Sequence, residues 1–238
     1  MSLKRITRLI LLTTLVSLVV ACSEEDVVDF IEQNEDPEHP VDGVYVNTIN
    51  SLESFLVDES RPEQAGILIT TSQEASDLNY FLEIESGDKE YEVFGVCGVG
   101  FCDPVNELVI KTTDKSLTLS GGINGELVTK SFTRLENSLP LFNIVSKTYT
   151  DPNFGSTLYI DEALNLTINS LYCTVSGKVN EKKHYYEIDA VATGCLSPIF
   201  NGDYKGVMYT VSFDGVGSGL YYSIFGSEQS ALFGYFPF

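Results

Sequence analysis

From Gly43 onward the hydrophobic positions recur with a period of two. Leu164, Leu166 and Ile168 alternate with Asn165, Thr167 and Asn169, and Tyr186, Ile188, Ala190 and Ala192 alternate with Glu187, Asp189, Val191 and Thr193. Val207, Tyr209, Val211 and Phe213 alternate in the same way with Met208, Thr210, Ser212 and Asp214. Two is the repeat of a pleated strand, whose successive side chains point to opposite faces. Each run therefore predicts a strand with one apolar and one largely polar face, the pattern of an antiparallel sheet with one side wet. Further runs rich in Val, Ile, Tyr, Phe and Thr, bounded by Gly, Asn, Asp and Ser, predict strands over 43–49, 65–71, 79–85, 90–97, 107–113, 116–120, 126–134, 156–161, 171–179, 218–225 and 230–236. Helical patterning is scarce: the segments 51–57 and 72–78, each behind a capping serine, are long enough for a turn or two.

So many short strands with so little helix predict an all-β body of antiparallel barrel- or sandwich-like modules. A break at Asn137-Ser138-Leu139-Pro140 divides it into halves of similar size, 43–137 and 138–238. Each half opens near a tyrosine-bearing strand, Gly43-Val44-Tyr45 and Thr148-Tyr149-Thr150. The pattern favours two related β-modules in tandem over one large barrel, although residue identity between the halves is too low to make a repeat.

The first 42 residues read differently. Lys4, Arg5 and Arg8 form a positive start, and Leu9 to Ala21 is an apolar run interrupted only by Thr13, Thr14 and Ser17. That run is shorter than the roughly 20 apolar residues a membrane-spanning helix needs, so residues 1–21 read as a secretory signal peptide. Its end, Val19-Val20-Ala21-Cys22, resembles the lipobox of bacterial lipoproteins, in which a small residue precedes a cysteine that is acylated before cleavage. The resemblance implies that Cys22 becomes a lipidated N-terminus and the membrane anchor, with two or more acyl chains giving stable attachment. Ser23 in the following position implies the bacterial outer membrane under the enterobacterial sorting rule, and Glu24-Glu25-Asp26 is similar to the export tag of some surface-exposed lipoproteins. Residues 22–42 then form an acidic tether: Ser23 to Asp42 holds nine acids, no Lys or Arg, and prolines at 37 and 40. A charge run with proline punctuation is a solvated spacer, which at full extension reaches on the order of 60 Å. It lacks the ordered ligand spacing of a calcium loop.

The second half carries a weaker resemblance. The order Cys173-Thr-Val-Ser-Gly177, Tyr185-Tyr186-Glu-Ile, Cys195 and Gly202-Asp-Tyr204-Lys-Gly206 is similar to the C-terminal pattern of small β-rich bacterial lipoproteins of unknown function. It implies architecture and brings no catalytic residue with it.

With Cys22 assigned to lipid, Cys97, Cys102, Cys173 and Cys195 remain. An even number in an exported chain implies disulfides, with three connectivities open. Local pairing is favoured, since Cys97-Gly-Val-Gly-Phe-Cys102 holds two glycines for a tight loop and Cys173 to Cys195 would tie neighbouring strands. Zinc would need Cys-x-x-Cys or histidines at ligand spacing, and His39 and His184 provide neither. A redox role for the 97–102 pair is the remaining alternative.

Charge narrows the function. The chain has 14 Lys and Arg against 34 Asp and Glu, a formal charge of −20. Loss of residues 1–21 leaves 11 basic residues against the same 34 acids, or −23. Such a polyanion is repelled by phosphate backbones, which excludes a nucleic-acid partner. Catalytic signatures are missing from the sequence. Gly217-Ser218-Gly219 lacks the G-x-S-x-G spacing because Val216 stands in the first glycine position, and His184 lies in a polar Lys182-Lys183-His184 turn. Paired carboxylates for glycoside hydrolysis remain open among so many acids, but the chain has no Trp to stack a sugar. The aromatic end, Phe233 to Phe238, reads as an edge strand. The expectation is a non-enzymatic, lipid-anchored binding or interaction module with no cofactor, taking a protein or small-molecule ligand. A structural envelope lipoprotein without a small ligand, or a carboxylate-dependent hydrolase, stands as the alternative.

Overall fold

The strands in the computed structural model run β1 (Gly43–Asn47), β2 (Glu53–Val57), β3 (Gly66–Thr71), β4 (Ser76–Ser86), β5 (Glu90–Gly98), β6 (Phe101–Thr113), β7 (Ser116–Ile123), β8 (Glu126–Arg134), β9 (Thr148–Thr150), β10 (Thr157–Ile160), β11 (Asn165–Asn169), β12 (Thr174–Glu181), β13 (Tyr186–Thr193), β14 (Gly202–Phe213), β15 (Gly217–Phe225) and β16 (Ala231–Pro237). The structure describes residues 41–238 except 48, 51–52, 62–63, 72–75, 87–89, 99–100, 114, 124, 136–137, 153, 214–216 and 227–229. Two short 3-10 turns, Leu141–Asn143 and Pro198–Phe200, complete the described elements. The body is all β, as its periodicity predicts.

Within each sheet every strand pairs antiparallel with its neighbours in sequence, so both sheets are meanders. β1 to β8 close into a barrel through the pairs Tyr45↔Arg134, Val46↔Thr133 and Asn47↔Phe132. β9 to β16 form a second eight-stranded sheet rolled around its own core. Its edges β9 and β16 are not joined by a ladder among the described residues, and Phe238 packs on Tyr149 with ring centroids 5.5 Å apart. Gly125, at φ +80°, turns β7 into β8 within two residues, a conformation that favours glycine. The break read at 137/138 falls between β8 and β9.

The two opening tyrosines do the same work. Tyr45 OH donates to Val41 O (2.7 Å), and Tyr149 OH donates to Ile144 O (3.2 Å). Each phenol thereby ties the segment leading into its sheet to the first strand. Val41 and Asp42, placed by sequence at the end of the spacer, are built into the barrel: Val41 is fully buried in its core, and Asp42 O accepts from Arg134 Nη2.

Three cores result. The barrel encloses Tyr45, Phe55, Phe81 and Phe132, with Phe55 5.5 Å from Phe81 and 5.6 Å from Phe132. The second sheet encloses Tyr186, Ile188, Met208 and Phe236. The third core lies between the sheets, where Val44, Val46, Leu56, Ile67 and Ile69 on the outside of β1–β3 pack against Val207, Tyr209, Val211 and Tyr221. Ser54 Oγ and Tyr209 OH hydrogen-bond across it at 2.8 Å.

That shared core corrects two sequence expectations. The segment 51–57 carries no helix among its described residues, because Glu53–Val57 is strand β2, buried along its whole length. A strand covered on both faces loses alternation, and the short apolar run left behind does not distinguish strand from helix. The run Val207 to Phe213 alternates correctly, but Val207 to Val211 is buried on both faces: Val207, Tyr209 and Val211 face the barrel, while Met208 points into the second core. Of the other helical segment, 72–75 lies outside the described residues and 76–78 begins β4.

Candidate functional site

In a meander every second connection lies at the same end of the sheet. Contacts across the shared core align the two sheets. Asp58, just past β2, accepts a hydrogen bond from Tyr185 OH just ahead of β13 (2.5 Å), and Tyr80, in the first half of β4, packs on Phe225 at the end of β15 (4.8 Å). The end where β1 passes to β2 thus lies beside the end where β13 passes to β14. We call this the apical end and the opposite one basal.

The two ends differ in chemistry. Among the described residues, the apical connections (49–50, 125, 151–152, 154–156, 170–173, 194–201, 226 and 230) comprise 22, of which one is charged, Asp151. The basal connections comprise 26 described residues, of which nine are Asp, Glu, Lys or Arg. Large apolar side chains stand exposed apically: Ile49 (95%), Leu127 (92%), Leu196 (76%) and Leu171 (74%), with Phe154, Tyr172 and Ile199 among them. At the basal end Phe142 and Phe238 are exposed singly amid charge. Scattered apolar exposure is ordinary, but a concentration at one end marks an interaction surface.

Two described apical segments, 170–173 and 194–201, are held together. Both disulfides lie at the apical end. Cys97 and Cys102 are directly opposed on β5 and β6, and Cys173–Cys195 bridges the ends of β12 and β13 one step beyond their ladder. Ser170 Oγ accepts from the backbone N–H of Tyr172 (3.1 Å) and of Cys173 (3.0 Å), and Leu196 N–H donates to Tyr172 O (2.9 Å). Asn201 Oδ1 accepts from Cys195 N–H (3.1 Å), and Tyr204 OH donates to Phe200 O (3.0 Å). Segments 170–173 and 194–201 are therefore one rigid plate carrying Leu171, Tyr172, Leu196 and Ile199 outward.

Behind the apical rim of the barrel sits a buried charge. Glu53, with 3% of its side chain exposed, forms an ion pair with Lys130 and accepts from Thr70 Oγ1 (2.9 Å) and Asn47 Nδ2 (2.5 Å). These side chains come from β1, β2, β3 and β8 and close the barrel mouth with satisfied polar groups. Their arrangement is that of a plug.

At the basal end a cleft of about 490 Å³ lies between the segment 58–65 and β4, lined by Glu59, Arg61, Leu82, Glu83 and Ile84 among others. Burial pushes the Tyr185 phenol beside it far up, and the Asp58 carboxylate adds to the shift.

Of the residues singled out by sequence, the structure pairs Cys97 with Cys102 and Cys173 with Cys195, and Cys22 lies outside the described residues. Ser218 Oγ donates to Ser212 Oγ (3.0 Å) across β14 and β15, so it is a hairpin serine. His184 is held in the β12–β13 turn, its carbonyl accepting from Ser138 Oγ (2.8 Å). Among the described residues no three His, Cys, Asp or Glu side chains gather as a metal site. Sequence reasoning missed the apical surface, although its signal is present: connections taken alternately along the chain are charge-poor and charge-rich. Comparison of the chain with family models, with curated proteins and with solved structures finds no match.

Proposed function

We propose that this protein is a binding module of the bacterial cell envelope, anchored by lipid at Cys22, whose apical surface takes a protein partner. The segregation of charge between the two ends carries this reading. A polyanion of −20 approaches most envelope components against repulsion, and the apical end is where that repulsion is weakest. Apical loops combining Ser, Gly and Asn with Leu, Ile, Phe and Tyr anchors have the composition of surfaces that bind protein: adaptable polar groups around rigid apolar contacts. Rigid loops on a β scaffold add pre-organisation, which lowers the entropic cost of association. The partner surface is accordingly apolar and uncharged.

The anchor and the surface are tested separately. Cys22→Ser should release the protein from membranes, and continued membrane fractionation would refute the lipid anchor. For the surface, envelope cross-linking is compared in wild type, in Leu196→Asp/Ile199→Asp, and in the basal control Phe142→Asp. All three positions are exposed, so folding is retained. The proposal expects one specific adduct that the apical pair abolishes and the control preserves; an adduct indifferent to the apical charges overturns it.

A further inference from the structure

The polar cluster in the barrel mouth sits on the seam where the barrel closes. β1 meets β8 there, with Asn47 opposite Phe132. Lys130 lies two residues before Phe132, so it stands on the same face of β8, diagonal to Asn47 across the seam and at a separation that a long side chain spans. Glu53 connects the two. Its Oε1 accepts from Lys130 Nζ, and its Oε2 accepts from Asn47 Nδ2 (2.5 Å). Thr70 Oγ1 also donates to Oε1 (2.9 Å), so the buried carboxylate is held in place, whereas Lys130 is part-exposed on a flexible stem. The carboxamide is fixed at its other end: Asn47 Oδ1 accepts from the backbone N–H of Ile49 (2.8 Å) and of Asn50 (3.1 Å).

An amine, a carboxamide whose oxygen is held by two backbone N–H groups, and one carboxylate touching both the amine and the amide nitrogen are the parts of an acyl transfer. We propose that Lys130 and Asn47 join in an intramolecular amide bond, with Glu53 as the catalytic acid and base, and that the ion pair is the reactant state. Glu53 takes a proton from the Lys130 ammonium. The freed amine attacks Asn47 Cγ, a C–N bond forms, and the carbonyl electron pair moves to Oδ1, where the N–H groups of Ile49 and Asn50 stabilise it. The pair returns as the bond from Cγ to Nδ2 breaks. Glu53 passes its proton to Nδ2, which leaves as ammonia, and takes the second proton from the attacking nitrogen. An ammonium and a carboxylate thus become a neutral amide and a neutral carboxyl, with no co-reactant consumed. The product fastens the first strand of the barrel to the last.

Peptide mapping of the full chain by mass spectrometry tests this. The expected product is the segment holding Asn47 joined to the segment holding Lys130, lighter than their sum by one ammonia. Lys130→Arg keeps a positive charge opposite Glu53 but has no nucleophilic amine, and Asn47→Ala has no acyl group, so both should lose the bond entirely while circular dichroism reports a retained β fold. The joined wild-type chain should also migrate faster than Lys130→Arg on a reducing, denaturing gel. Glu53→Gln should form the bond at least about a hundredfold more slowly, the scale of a lost general acid–base. Recovery of the wild-type segments only unjoined overturns the proposal. So does a joined pair in Asn47→Ala, or a bond from Lys130 to Glu53 with loss of water. A bond formed at the wild-type rate in folded Glu53→Gln overturns the role given to Glu53.

Discussion

A Cβ on Gly206 would stand 2.0 Å from Ser223 O and 2.6 Å from the Cα of Ile224, so β14 and β15 approach there to a distance only glycine permits. Single positions of this kind decide how tightly the second sheet rolls, and nothing in the local sequence separates this glycine from one in a turn. The same holds for Glu53, whose burial depends on strands far away in the chain. Lys130→Met would leave the Glu53 carboxylate in the barrel mouth without its counter-charge. The expected loss lies toward the lower end of the roughly 3–5 kcal/mol for breaking a buried pair, because Lys130 is part-exposed and Asn47 and Thr70 remain. Urea denaturation should show a lower midpoint at unchanged slope. The tyrosines give a pH dependence. Burial raises Tyr45 to about 12 and also raises Tyr149, Tyr186, Tyr209, Tyr222 and Tyr235 above their ordinary value of 10.0. Below pH 10 both states hold these protons and stability is unaffected. Above it the unfolded chain releases protons that the native state keeps, so stability falls from about pH 10 through pH 12. Phenolate absorbance followed alongside circular dichroism should show a further rise with unfolding, and ionisation of all the tyrosines in a fully folded protein would contradict the burial.

Among the elements, the two apical staples differ in what they constrain. Under the chain-entropy model, losing the bridge of separation 22 costs about 3 kcal/mol and losing that of separation 5 about 2 kcal/mol. Cys173→Ser/Cys195→Ser should therefore lower thermal stability more than Cys97→Ser/Cys102→Ser. It should also speed hydrogen exchange in 170–173 and 194–201 while the β12–β13 ladder stays protected; equal effects would show that the bridge does not organise the plate. Both pairings were legible as local ones, because glycines flank one pair and a single strand hairpin separates the other. Strands wet on one face were legible too: β13 buries Tyr186, Ile188, Ala190 and Ala192 in the order their alternation predicts. β2 was not, since burial of both faces erases the alternation by which a strand is recognised. The apical surface escaped for a related reason. Its residues come from connections far apart in sequence, and only the meander order of the strands shows that they share an end.

At the scale of the molecule, the shared core joins the two sheets. Twelve buried apolar side chains, including Tyr209 stacked on Tyr221 at 5.7 Å, lie between them, each contributing about 1.5–3 kcal/mol at most. That total exceeds the roughly 5–15 kcal/mol net stability of a whole domain, so neither half keeps its fold when its outer wall is exposed. Calorimetry should record a single unfolding transition with equal calorimetric and van't Hoff enthalpies, and fragments 41–137 and 138–238 made separately should fail to fold. Two resolved transitions would show instead that the sheets are independent. One feature of the meander matters for anyone handling the molecule. Val41 and Phe238 both lie at the basal end, so a fluorophore or a sensor chip attached at Phe238 leaves the apical pole accessible.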